Sequence, residues 1–171
     1  VLALELDIPF DKIHFGLDQY TGVLRRFDIK YTTDNNIIIV DDYAHHPSEV
    51  SATLGAAKSG WDHRIIAIFQ PHLFTRTRDF YKDFALAFQQ SDILIVTDIY
   101  PAREEPLEGI TAKIIADEAE KLGHGHIEFI ANQNNIPARL KDISQPNDMI
   151  ITMGAGNIWR QCEGIYEALN N

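Results

Sequence analysis

The sequence predicts an α/β fold. We expect a Rossmann-like, mostly parallel sheet of about six strands with helices on both faces, its first strands forming an antiparallel hairpin. Three observations carry this. Short continuous apolar runs, such as Ile65-Ile66-Ala67-Ile68-Phe69 and Ile93-Leu94-Ile95-Val96, read as strands buried on both faces. Segments with helical periodicity alternate with them. Each strand runs into a polar turn that opens the next helix, and right-handed crossovers place those turns on one rim.

Val1 to Tyr20 reads as helix, broken at Pro9 into two pieces, the second spanning Asp11 to Leu17. Thr21-Gly22 is a turn and the expected domain boundary, separating residues 1–22 from residues 23–171. An apolar opening, Val1-Leu2-Ala3-Leu4, with no initiator Met, predicts that the chain continues a longer protein. Leu24 to Tyr31 alternates like a strand. Asp34-Asn35-Asn36 signals a turn, and Ile37 to Val40 is the second arm of the hairpin. Pro47 suits a first helical turn, and the helix continues from Glu49 to Lys58 until Ser59-Gly60 stops it. Three strand–helix pairs follow. Ile65 to Phe69 precedes a helix from Asp79 to Gln90, with Phe80, Phe84, Ala87 and Phe88 on one face. Ile93 to Val96 leads through a long loop to a helix from Thr111 to Leu122, and Ile127 to Ile130 precedes one from Ile136 to Ile143. Met149 to Met153 is the last strand and Ile158 to Leu169 the closing helix.

Composition narrows the function. The 171 residues, 45% hydrophobic, suffice for one cored domain with a fragment of a second. A formal net charge of −10 argues against nucleic-acid or membrane-surface binding, since both favour a basic face. The single cysteine, Cys162, excludes an internal disulfide and fits a reducing cytosol. No apolar run approaches the ~20 residues of a membrane span, and no signal peptide is visible.

The rim turns hold the chemistry. In Val40-Asp41-Asp42-Tyr43-Ala44-His45-His46-Pro47-Ser48-Glu49, an apolar strand ends in two carboxylates, an aromatic ring and two imidazoles. A rim histidine suits a hydrogen-bond partner or a proton acceptor near neutral pH. The bland alternatives are that His45 or His46 packs its ring and caps a carbonyl, that Asp42 braces the turn, and that Asp41 is structural. A metal site from Asp42, His45, His46 and His72 lacks the spaced ligand pairs that zinc centres show. After the next strand comes Gln70-Pro71-His72-Leu73-Phe74-Thr75-Arg76-Thr77-Arg78. Arg76, in the expected loop, or Arg78, beside the helix, can grip a carboxylate or phosphate. Gly154-Ala155-Gly156 opens the last helix, either for close approach of an anion or for tight packing. Gly55-Ala56-Ala57-Lys58-Ser59 is not a phosphate loop: alanine precedes the lysine, and the segment ends a helix. His14, His63, His124 and His126 read as surface residues, and Glu118, Glu120 and Lys121 as a solvated helix face.

Together, Gly22-Val23-Leu24-Arg25-Arg26-Phe27, the Val40–Glu49 turn, Phe69-Gln70-Pro71-His72 with Thr75-Arg76-Thr77-Arg78, and Thr152-Met153-Gly154-Ala155-Gly156-Asn157-Ile158 resemble the C-terminal domain of the Mur ligases of peptidoglycan synthesis. Among these they look most like the enzymes that join L-alanine to UDP-N-acetylmuramate. The resemblance covers nearly the whole chain. It implies that residues 1–22 are the tail of a central ATPase domain and that 23–171 are the C-terminal domain. The implied chemistry is an ATP- and Mg2+-dependent ligation through an acyl phosphate, in the bacterial cytoplasm, silent in this domain alone because the phosphate loop lies elsewhere. By motif match, Arg26 and Asp42 contact the nucleotide. Tyr43, His45, His72 and Arg76 surround the incoming alanine, with Arg76 on its carboxylate and His45 as candidate base. Leu73 stands where many members have Arg, so a carboxylate contact is missing or falls to Arg76 alone. The murein-peptide recycling ligases are the near alternative; they usually carry Phe where Tyr43 stands. A free-standing flavodoxin-like nucleotide-binding module is the alternative from another class.

Overall fold

The structure is a computed structural model and describes residues 2–19 and 22–170. Val1 and Tyr20, the expected ends of the first helix, and Thr21, half of the expected boundary, lie outside the described residues, as does Asn171. Two short helices, α1 (Leu2–Glu5) and α2 (Phe10–Asp18), flank the break at Pro9. Neither buries a residue.

The first strand differs from expectation. β1 is Asp28–Thr32, beginning four residues beyond Leu24. Residues 24–27 instead turn sharply, with Arg25 and Phe27 in the left-handed region at φ 59° and 45°. Long-range partners described below hold that turn. β1 pairs antiparallel with β2 (Ile38–Asp42), so the hairpin is as expected. β2 runs through both carboxylates, which the sequence reading had placed in the turn. Pro47 then opens α3 (Pro47–Gly60) at its first turn.

The remaining elements are β3 (Arg64–Phe69), α4 (Phe74–Ala87), β4 (Ile93–Val96), α5 (Lys113–Lys121), β5 (Ile127–Phe129), α6 (Ile136–Ile143), β6 (Asp148–Met153) and α7 (Gln161–Asn170). Single 3-10 turns extend α4 over Phe88–Gln90 and precede α7 over Ile158–Arg160. The sheet order is β1-β2-β6-β3-β4-β5, parallel throughout except for β1.

Side-chain alternation along the strands splits the core in two. Val40, Ala67, Phe69, Leu94 and Ile151 face α3, α4 and α5 through Val50, Leu54, Phe84 and Ile115. Ile39, Ile66, Ile68, Ile95 and Ile150 face α6 and α7 through Ile136, Leu140, Cys162 and Ile165. Phe69 meets Phe84 at 4.9 Å and Phe88 at 5.1 Å between ring centroids. Fully burying such a side chain contributes about 1.5–3 kcal/mol. Below the sheet, Arg64 clamps the buried Asp148 with Nε and Nη2, at 2.8 and 2.7 Å, and Nη2 also reaches the Ile143 carbonyl. His124 is not a surface residue: it is 8% exposed and hydrogen-bonds Ser91 at 3.1 Å. Both ring nitrogens of His63 are likewise buried.

Candidate active site

β6 lies between β2 and β3, and its helix runs to the opposite face from theirs. Such a reversal opens a crevice beyond the carboxyl ends of the strands, where open α/β sheets bind ligands. Most of the residues singled out above meet there.

The end of β2 is braced by charge. Asp41 is 1% exposed, accepts from Arg25 Nε at 2.8 Å and from Thr152 Oγ1 at 2.9 Å. Burial pushes its carboxyl above the usual aspartate range, against the pull of Arg25. Arg25 Nη2 also donates to the Gly154 carbonyl at 2.7 Å, tying β1, β2 and the end of β6 together. Asp42 takes the bracing role as well: its two oxygens accept from the Phe27 and Ala44 backbone N–H groups, each at 2.7 Å. Its outer edge lines a hollow of about 370 Å³ with Arg26, Phe27, Glu49 and Thr53. Arg26 reaches outward, its guanidinium 5.7 Å from the Tyr43 ring centre and 3.7 Å from Glu49. Arg25 covers the same ring at 4.8 Å.

His45 is set in a defined tautomer. Its Nδ1 lies 2.9 Å from the Tyr43 carbonyl and 3.2 Å from a Glu49 oxygen. Both neighbours only accept, so Nδ1 carries a proton, and in the neutral ring the lone pair falls on Nε2. Glu49 Oε2 accepts from the backbone N–H groups of His45 and His46, at 3.0 and 3.1 Å. Partial burial raises the Glu49 carboxyl, but these donors, His45 when protonated, and Arg26 hold it below its usual value. His46 is structural: Nδ1 pairs with Ser48 Oγ at 3.0 Å and the ring packs on Phe80.

After β3, the sequence reading put Arg76 and Arg78 in a loop ending at Asp79. α4 in fact begins at Phe74, five residues earlier, so Arg76 lies in its first turn. A cation there opposes the helix dipole; Arg78, two residues further on, is already paired with Asp79 at 2.7 Å. Arg76 stands beside His45, Nη1 3.5 Å from that carbonyl. His72 faces His45 at 6.1 Å between ring centres and stacks on Tyr100 at 5.8 Å. Burial, then Arg76 and a protonated His45, push the His72 imidazole below its usual range, which favours its neutral form. Its Nδ1 is buried and has no hydrogen-bond partner. Tyr43, His45, His72 and Arg76 therefore come together, with Arg26 5.7 Å from the Tyr43 ring centre. Among the described residues no group of three His, Cys, Asp or Glu converges as a metal site.

The two glycines of the β6 turn serve packing. A Cβ on Gly154 would stand 2.7 Å from the Gln70 carbonyl, and one on Gly156 would stand 2.3 Å from Gln70 Oε1 and 2.6 Å from Tyr100 Cγ. Gln70 uses this closeness: its amide oxygen accepts from Asn157 and Ile158 backbone N–H groups, and its nitrogen donates to Asn157 Oδ1. Sequence reasoning missed Arg25, Tyr100 and Glu104. Gln70 and Asn157 stood inside the quoted motifs without a role; the Tyr100–Glu104 loop had no periodicity to mark it.

The profile of the "Mur ligase, glutamate ligase domain" matches residues 25–156. The chain belongs to the Mur ligase family. It is 47% identical over 168 residues to the UDP-N-acetylmuramate–L-alanine ligase of Geotalea uraniireducens, covering 98% of this chain and 36% of that protein. It is 44% identical to the enzyme of that name from Salinibacter ruber, covering 98% and 35%. Thus the chain spans little more than a third of the curated relatives it matches. The crystal structure of UDP-N-acetylmuramate-alanine ligase from Thermotoga maritima superposes with a TM-score of 0.78 at 28% identity, over 97% of this chain and 34% of that one. A murein peptide ligase from Psychrobacter arcticus shares the fold, with a TM-score of 0.71 at 24% identity over 92% and 32%. The α/β architecture expected from sequence is thereby the architecture of this Mur ligase domain. Among the described residues no helix is long and apolar enough to cross a membrane.

Proposed function

We propose that this Mur ligase domain is the C-terminal part of a bacterial, cytoplasmic ligase that joins L-alanine to UDP-N-acetylmuramate, with residues 1–22 ending its central ATPase domain. The observation that carries the reading is the meeting of Tyr43, His45, His72 and Arg76 on one rim, with Arg26 beside them. The named relatives agree with it.

In the proposed reaction ATP phosphorylates the muramate carboxylate. The alanine amine attacks the acyl phosphate, an amide forms and phosphate leaves. Arg76, in the first turn of α4, holds the alanine carboxylate; Leu73 supplies no charge, so Arg76 acts without a neighbouring arginine at that position. An ammonium cannot attack, and His45 Nε2 is the lone pair placed to take its proton. His72, in the neutral form that burial favours, adds no charge to repel that ammonium. The Tyr43 ring, flanked by two guanidiniums, forms the wall between amine and nucleotide. Arg26 reaches toward the nucleotide phosphates. Asp42 reaches the ribose with lone pairs left over from its two backbone bonds. Mg2+ offsets phosphate charge in this chemistry, but the described residues form no metal site, so no step is assigned to a metal held by this chain.

The test is kinetic, in the full-length protein. Arg76→Ala raises KM for alanine by about 10–100-fold, the loss of a charge-assisted pair, and leaves KM for ATP in place. An unchanged alanine KM would remove Arg76 from the substrate site.

A further inference from the structure

The connection from β4 to α5, residues 97–112, has no part in the proposed function, yet Tyr100 stacks on His72 and Glu104 holds Thr75, next to Arg76. α4 begins with no acid in its first turn and no side-chain cap. Its capping position is Leu73, at φ 73° and ψ 137°, a conformation that a residue with a Cβ holds only when its surroundings force it. Leu73 N–H donates to the Tyr100 carbonyl at 3.0 Å, and Tyr100 N–H donates to the Pro71 carbonyl at 2.8 Å. These two bonds bracket His72, and the Tyr100 ring stacks on its imidazole with planes 15° apart. Behind the Tyr100 ring is Gly156, too close to admit a Cβ. The anion that α4 lacks comes from Glu104, whose carboxylate accepts from both the backbone N–H and the hydroxyl of Thr75, 29 residues earlier. Those two donors hold its carboxyl below the usual glutamate range, so it is charged.

We propose that Tyr100 and Glu104 are positioning residues: the β4–α5 connection fixes the His72 ring and the first turn of α4, and so sets where Arg76 presents its guanidinium. The proposal rests on the placing of His72 and Arg76 in the amino-acid subsite. The groups facing His72 are Arg76 from α4, His45 from the β2–α3 turn, and Tyr100 and Glu104 from this connection. Glu104 alone of these raises the His72 pKa, and it does so against burial, Arg76 and His45 when that ring is protonated.

Two readouts in the intact protein test this. Glu104→Gln keeps the shape and removes the charge. It lowers the His72 midpoint in an NMR titration of labelled histidine, and it raises KM for alanine by about tenfold with kcat within about twofold. Tyr100→Ala raises the same KM, and Tyr100→Phe, which keeps the ring, restores it. A role confined to folding would lower the melting temperature of these variants while leaving the His72 midpoint and the alanine KM at wild-type values, and that result overturns the proposal. The titration needs no catalysis, so a shifted midpoint with no alanine effect from Arg76→Ala would reject the substrate assignment and leave the positioning contacts standing.

Discussion

Gly156→Ala puts one methyl group where three elements meet. The new Cβ would stand 2.3 Å from Gln70 Oε1, 2.6 Å from Tyr100 Cγ and 2.8 Å from Tyr100 Cβ. Real Cβ atoms do not approach so closely, so Gln70 or Tyr100 must move. Overpacking of this kind costs about 1–3 kcal/mol. If Gln70 yields, its bonds to the Asn157 and Ile158 backbone weaken as well, at about 0.5–1.5 kcal/mol each. If Tyr100 yields, His72 loses its stacked partner. We expect a loss of about 2 kcal/mol, which in a chain of this size lowers Tm by about 4–8 °C. Urea and thermal unfolding measure the loss, and histidine NMR reports the change around His72. Wild-type stability together with an unshifted His72 resonance would refute the view that this glycine exists for packing.

Three further predictions follow from the rest of the molecule. Arg64→Leu leaves Asp148, 1% exposed, without its bidentate partner; removing one side of a buried pair costs about 3–5 kcal/mol, and the partly open Arg64 puts this case near 3, read by urea unfolding. Glu128 is held down to about 2, chiefly by hydrogen bonds from Arg139 and then His126, against partial burial. Its folded pKa lies below the unfolded value, so the stability it contributes is present above the unfolded pKa of about 4.3 and lost as pH falls toward the folded one. Its partners Arg139 and His126 are open to solvent, at 37% and 44% exposure, so screening keeps the effect under about 1 kcal/mol; Glu128→Gln flattens the stability curve over that pH window. Burial lifts the Cys162 thiol to about 11, so iodoacetamide at neutral pH should leave the native protein unlabelled and react only on unfolding.

The sheet was legible because its strands are buried on both faces: runs such as Ile65 to Phe69 have no other soluble use. The two-faced layering and the hairpin followed from the same pattern. What escaped was set by distant partners. The turn at Arg25 is held partly by local bonds to Asp28 and Val23 but mainly by Asp41 and the carbonyl of Gly154, far along the chain. α4 starts early because Glu104 caps it from another loop. His124 lies in a polar stretch, yet Ser91 draws it inside. At the site, residue types were readable and jobs less so. Tyr43, His45, His72 and Arg76 converge on one rim, while the sequence did not show that Asp42 also braces two backbone N–H groups or that Gly154 and Gly156 are packed against Gln70 and Tyr100.

The measurement closest to the central claim is the pH–rate profile of His45→Gln in the full-length protein, with UDP-N-acetylmuramate, ATP and L-alanine. If His45 Nε2 takes the proton of the incoming amine, the variant loses about 10²–10⁴-fold in turnover and the acid limb of kcat/KM for alanine flattens, while the phosphorylation partners bind as before. A variant with wild-type rate and an unchanged profile would contradict the account.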